Sequence, residues 1–146
     1  MDLFLHLWIM ILIYTIFAMS LNLEVGYTGL FNFGHVAFFG IGAYVSALLT
    51  LHGVAFEWAL VAALIAAGFS GFLLSIPSLR LRGDYFGIAT LGFTVIVKIL
   101  LDNSDSLLGF VEMKGARGMV GIPKVTSLFW VFLFLVLVVI LVRNLL

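Results

Sequence analysis

The chain alternates between long apolar runs and short polar interruptions. Apolar stretches occupy about residues 3–23, 29–51, 58–79, 85–103 and 127–146. An α-helix needs about 20 mostly apolar residues to cross the hydrocarbon core of a bilayer. Each run is continuous rather than alternating at period two, which selects helices over strands. Helices also satisfy their own backbone groups in lipid. The pattern predicts an all-α polytopic membrane protein of about five transmembrane helices, forming a single membrane domain over residues 1–146. The connections "EVGYTG", "HGVAFE" and "RLRGD" are short. A longer loop, residues 102–126, holds six charged side chains, several glycines and Pro123, and is expected outside the bilayer. No repeat at a fixed period is visible.

Inside the runs, small and polar residues recur at helical spacing. Residues three, four, seven and eleven apart share a helix face. In the second run that face carries Asn32, His35, Gly42 and Ser46, and in the fourth Gly87, Thr90, Thr94 and Lys98. In the third, Ala63, Ala67, Gly71 and Ser75 form a small-residue ridge. Such a ridge lets helix backbones approach closely, and its serine can hydrogen-bond across the contact. The ridge is expected to pack a neighbouring helix. Thr90 and Thr94 can bond their own helix carbonyls, and Lys98 can snorkel to the interface. They stand either as packing residues or as substrate-path residues. Asn32 and His35 are costlier, because unpaired polar groups in hydrocarbon cost several kcal/mol. Three placements satisfy them: a bond to a neighbouring helix or unwound backbone, a translocation-path lining, or a late helix start that leaves both at the headgroups.

Composition agrees with the pattern. Of 146 residues, 64% are hydrophobic and 10% charged, and mean hydropathy is +1.31. A soluble domain of this size has too little interior for that much apolar surface. The lipid bilayer is the expected solvent. Net charge is zero, so nothing points to nucleic acid. With no cysteine, disulfides and thiolate metal sites are excluded. His6, His35 and His52 lie in different segments without ligand spacing, so no metal site is expected. The opening "MDLFLHLW" lacks a basic n-region, which predicts a first span that is kept.

Lysines and arginines near span ends set orientation. Arg80, Arg82 and Arg143 fall on one side, which places the N-terminus outside and these residues at the cytoplasmic face. Lys114, Arg117 and Lys124 of the long loop oppose that bias. In "SLRLRGDYF", residues 78–86, Pro77 just before it ends or kinks the third helix. Arg80 and Arg82 anchor the ends, Gly83 permits a tight turn, and Asp84 is expected to cap the fourth helix. No phosphate-binding loop, nucleophile–base pair or intramembrane acid pair is present, so neither an enzyme nor a cofactor is expected.

Three strings, "LNLEVGYTGLFNFGHVAFFGIGAY", "LRLRGDYFGIATLGF" and "GARGMVGIP", resemble the LivM class of permeases from branched-chain amino-acid ABC importers. They stand in the same order as in that family. The resemblance implies a multi-pass subunit of a prokaryotic plasma (inner) membrane. It also implies a second related permease, two cytoplasmic ATPase subunits and an extracytoplasmic amino-acid-binding protein as partners. Alternating access would carry solute between the permeases. Asn32, His35, Gly42, Ser46, Thr90 and Thr94 would stand near that path. The outer-loop residues Gly115, Arg117, Gly118, Gly121 and Pro123 would face the binding protein.

The chain departs from the family at three places. Asn32 in "FNFGH" is closer to the sister permease class. "VEMKGARG" replaces the usual Thr-Gly-Gly run. Members continue past the position of Leu146, so the chain resembles the N-terminal half of such a permease, apparently truncated. Importers of urea or short amides, a non-transporting assembly subunit, and half of an ion-coupled transporter are the competing readings.

Overall fold

The structure is a computed structural model that describes residues 2–78, 80–81, 83–103 and 128–145. The described residues form helices and turns, with no strand. The helices are α1 (Asp2–Thr28), α2 (His35–Leu51), α3 (Phe56–Ser78), α4 (Asp84–Asp102) and α5 (Leu128–Leu145). Three stretches, His6–Thr28, Phe56–Ser78 and Asp84–Asp102, are long and apolar enough to cross a membrane, and His35–Leu51 is a shorter apolar helix. The chain is thus an all-α membrane protein.

The distribution of apolar side chains is that of a protein dissolved in lipid. Among the described residues the buried hydrophobic positions are Ala37, Ala59, Ala63, Leu74 and Val97. Large side chains such as Trp58, Ile65, Phe69 and Ile88 point outward. Water would penalise that arrangement, whereas hydrocarbon does not.

The chain divides into two compact units. One comprises residues 1–30 and 124–146, in which α1 packs against α5. The other comprises residues 31–123 and holds α2, α3 and α4. In this second unit α2 lies along α3, and small residues set the approach. A Cβ added to Gly42 would stand 3.8 Å from the Ala63 carbonyl and 3.9 Å from the Ala67 Cβ. One added to Gly71 would stand 3.8 Å from the Phe38 ring. Phe38 reaches α4 as well, with its ring centroid 5.9 Å from that of Phe93 at a tilt of 51°. One aromatic side chain therefore touches all three helices of the unit. Ser75 of the predicted ridge spends its hydroxyl on its own helix, donating to Phe72 O at 2.7 Å.

The helix ends differ from those predicted, for local reasons. α1 runs five residues beyond the apolar run to Thr28, because the polar residues Glu24 and Tyr27 end hydropathy without ending a helix. Gly29, at φ +67°, stops it, and Thr28 Oγ1 accepts from Leu30 N at 3.2 Å. α2 ends in a Schellman motif. Gly53 sits at φ +80°, Val54 N donates to Leu49 O at 3.0 Å, and Gly53 N donates to Thr50 O at 3.1 Å. α3 stops one residue after Pro77.

Candidate functional site

The largest departure from prediction lies at the start of α2. The apolar run begins near residue 29, but the helix begins at His35. Residues 29–34 are non-helical. Asn32 starts the helix: its Oδ1 accepts from Gly34 N at 2.9 Å, and its main-chain O accepts from His35 N at 3.4 Å. Asparagine forms such local turns because its short side-chain carbonyl reaches the backbone two residues on. Helical phase therefore does not carry Asn32 onto the face of His35, Gly42 and Ser46. Gly42 is turned towards α3, as its Cβ distances show. His35 and Ser46 are half-buried in α2, and Ser46 O accepts from Thr50 Oγ1 at 2.7 Å.

α4 supplies what the break in the helix leaves open. Phe33 N donates to Thr90 Oγ1 at 3.1 Å. Phe33 O accepts from Thr94 Oγ1 at 2.7 Å. Thr90 Oγ1 donates in turn to Gly87 O at 2.9 Å, and Thr94 Oγ1 lies 3.0 Å from Thr90 O. Both backbone groups of Phe33 are thus bonded by the fourth-run stripe. Gly87 completes the cradle: a Cβ there would stand 3.5 Å from the Phe33 ring and 3.8 Å from Phe31 O. Thr90 is fully buried. At 1.5 Å per residue, Thr90 and Thr94 stand roughly 9 and 15 Å along α4 from Asp84. In a helix that crosses the bilayer, that depth lies within hydrocarbon. Non-helical backbone is tolerated there only when protein or a water-filled cavity satisfies it.

Lys98, which shares the stripe in sequence, is exposed beyond the cradle. The turn between α3 and α4 also differs from its prediction. Asp84 is the first residue of α4 rather than its cap, and the cap position is Gly83, at φ +58° and without a side-chain bond. The Asp84 carboxylate complements the helix dipole instead. Arg80 is exposed. Arg82 lies outside the described residues, as do Gly115, Arg117, Gly118, Gly121 and Pro123. Ser78, at the end of α3, is buried, and its Oγ has no hydrogen-bond partner among the described residues. Among the described residues no group of histidine and acidic side chains is placed to hold a metal ion. The sequence stripes exposed the α4 threonines but not their partner, since a backbone amide and carbonyl leave no mark in side-chain spacing.

Comparison with known proteins places these features in context. Residues 3–146 match the family model described as "Branched-chain amino acid transport system / permease component". Over 116 residues the chain is 46% identical to the high-affinity branched-chain amino acid transport system permease protein LivM of Escherichia coli strain K12, covering 79% of this chain and 26% of that protein. Over 118 residues it is 45% identical to the LivM protein of Salmonella typhimurium strain LT2, covering 80% of this chain and 27% of that one. The chain spans about a quarter of the length of the curated relatives it matches, a smaller share than the half its motifs imply. No solved structure matches.

Proposed function

The chain belongs to the permease component family of branched-chain amino acid transport systems, and from that premise we propose that it forms part of the membrane pathway of an ATP-driven importer for branched-chain amino acids. The observation that carries the reading is the break before α2. A non-helical segment, residues 29–34, precedes α2, and Phe33 within it is bonded to Thr90 and Thr94 of α4, a helix long and apolar enough to cross a membrane. This segment is the connection between α1 and α2, and irregular backbone at membrane depth is tolerated where protein or a water-filled cavity satisfies it. The path runs beside this segment, with Asn32 and His35 nearest it and Ser46 further along α2, while Gly42 packs against Ala63 and Ala67 of α3. A second related permease completes the path. Two cytoplasmic ATPase subunits supply the energy, so the chain itself is no enzyme. An extracytoplasmic binding protein delivers the amino acid and docks on the loop around Gly115–Pro123. The assembly sits in the plasma membrane of a prokaryote, with Arg80, Arg82 and Arg143 on the cytoplasmic side.

Uptake of labelled leucine by cells carrying His35→Ala tests the placement. Lowered uptake with an intact complex supports a path lining. Loss of the complex assigns His35 to a structural contact, and unchanged uptake with an intact complex removes it from the path. Deletion of the chain that leaves leucine uptake unchanged would falsify the importer reading.

A further inference from the structure

We infer that Thr90 and Thr94 are positioning residues that act on the translocation path through the Phe33 backbone N–H and C=O rather than by touching solute. The inference rests on the importer reading for its functional consequence and on geometry for the rest. Thr90 is fully buried, which leaves its hydroxyl no open face. That hydroxyl is used in both directions, accepting from Phe33 N at 3.1 Å and donating to Gly87 O at 2.9 Å. Thr94 carries a single hydroxyl hydrogen, and its shortest acceptor is Phe33 O at 2.7 Å, ahead of Thr90 O at 3.0 Å. The N–H and C=O of one residue, which belong to the two peptide units on either side of its Cα, are thus held by two side chains one helical turn apart on a single helix.

The arrangement has a mechanical consequence. Phe33 is bonded through both N–H and C=O to α4, so it has little freedom to rotate about either bond. Asn32 and Gly34 flank it, and His35 follows Gly34, so the start of α2 follows α4. A displacement of α4 is passed to the start of α2 through two hydrogen bonds rather than through loose packing. Gly87 lies against the same residue: a Cβ there would stand 3.5 Å from the Phe33 ring, an ordinary van der Waals contact. Valine matches threonine in shape but carries no hydroxyl, whereas serine keeps the hydroxyl. The two substitutions therefore separate packing from bonding at each position.

This chain has no cysteine, so labelling that appears only when Phe31→Cys is present, over the same membranes without it, reports that position. Phe31 is 68% exposed and lies in the clamped segment. Phe31→Cys is combined with T90V, T94V, T90S or T94S, in membranes of cells that express the whole transporter. The rate of labelling by N-ethylmaleimide and the KM and maximal rate of leucine uptake are measured in each. Removing a hydrogen bond of ordinary net strength frees the segment by roughly three- to tenfold. The labelling rate at Cys-substituted Phe31 should change by that factor in the valine variants and return to the parent value in the serine variants. The leucine KM should rise in the valine variants and be rescued by serine. Unchanged labelling in both T90V and T94V, with the chain at parental abundance, overturns the clamp. Changed labelling with unchanged uptake, and no protection of the thiol by leucine, supports the clamp and overturns the path placed beside it. Each variant carries one of the two bonds intact, so failure of one to accumulate leaves the other to decide.

Discussion

Gly34 and Gly87 both line the break before α2, yet an added methyl would meet different neighbours at each. At Gly34 it would come within 2.8 Å of Asn32 Oδ1 and of Leu74 Cδ2. The backbone there is ordinary, at φ −64°, so what an added methyl changes is space: the ends of the Asn32 and Leu74 side chains must shift. Gly34→Ala should displace Asn32 from its turn and destabilise the unit by about 1–3 kcal/mol. Gly87→Ala would meet nothing nearer than 3.5 Å and should be tolerated within about 0.5 kcal/mol. Unfolding of the detergent-solubilised protein by denaturant compares the two. Ser78 calls for the opposite change. Its buried hydroxyl has no partner among the described residues, and an unsatisfied buried hydroxyl costs about 1–3 kcal/mol. Ser78→Ala should raise stability by about 1 kcal/mol in the same assay, and a loss would mean that the hydroxyl is bonded in the assembled transporter. None of these differences can be read from residue type. A glycine in an apolar run signals small size, but whether anything occupies the space beside it depends on residues that are distant in sequence.

At the scale of elements, hydropathy located the helices well and their ends less well. α3 and α4 fall within two residues of the apolar runs that predicted them, because Pro77, the charged turn and Asn103 coincide with the ends of both hydropathy and helix. α1 and α2 deviate because hydropathy reports preference for lipid and not backbone conformation. The run through Leu30, Phe31 and Phe33 is apolar, yet Gly29, at φ +67°, and the Asn32 turn break its backbone. Asn32 carries the start signal. Asn32→Ala removes the bond to Gly34 N and should cost about 1 kcal/mol, read as faster hydrogen–deuterium exchange over residues 33–38. Asn32→Ser should restore part of the protection. The contact of α2 with α3 rests on Gly42 over Ala63 and Ala67. Gly42→Leu should force these helices apart and abolish a disulfide engineered between them, while Gly42→Ala should leave it intact.

Across the whole molecule, orientation sets which end of the break faces the supply of solute. With the N-terminus outside, a thiol introduced at exposed Asp84 should react with an impermeant reagent only in inside-out vesicles. One at Gly53, in the α2–α3 turn, should react only from the outer side. The reverse result would invert the proposed topology without disturbing the helices. The amount and spacing of apolar residues were sufficient to specify an all-α membrane protein, since burying or exposing apolar surface is the dominant energy and depends on composition and period. The motif strings likewise placed the chain in its family. The tertiary structure added the joining of Thr90 and Thr94 to Phe33, fifty-seven and sixty-one positions apart. A hydrogen bond to a peptide group depends on where the chain folds back, and no local preference for side-chain type encodes that return. "FNFGH" therefore reads in sequence as polar residues stranded in an apolar run. In the folded unit it is a backbone break whose polar groups are matched by Asn32 from within and by two threonines from α4.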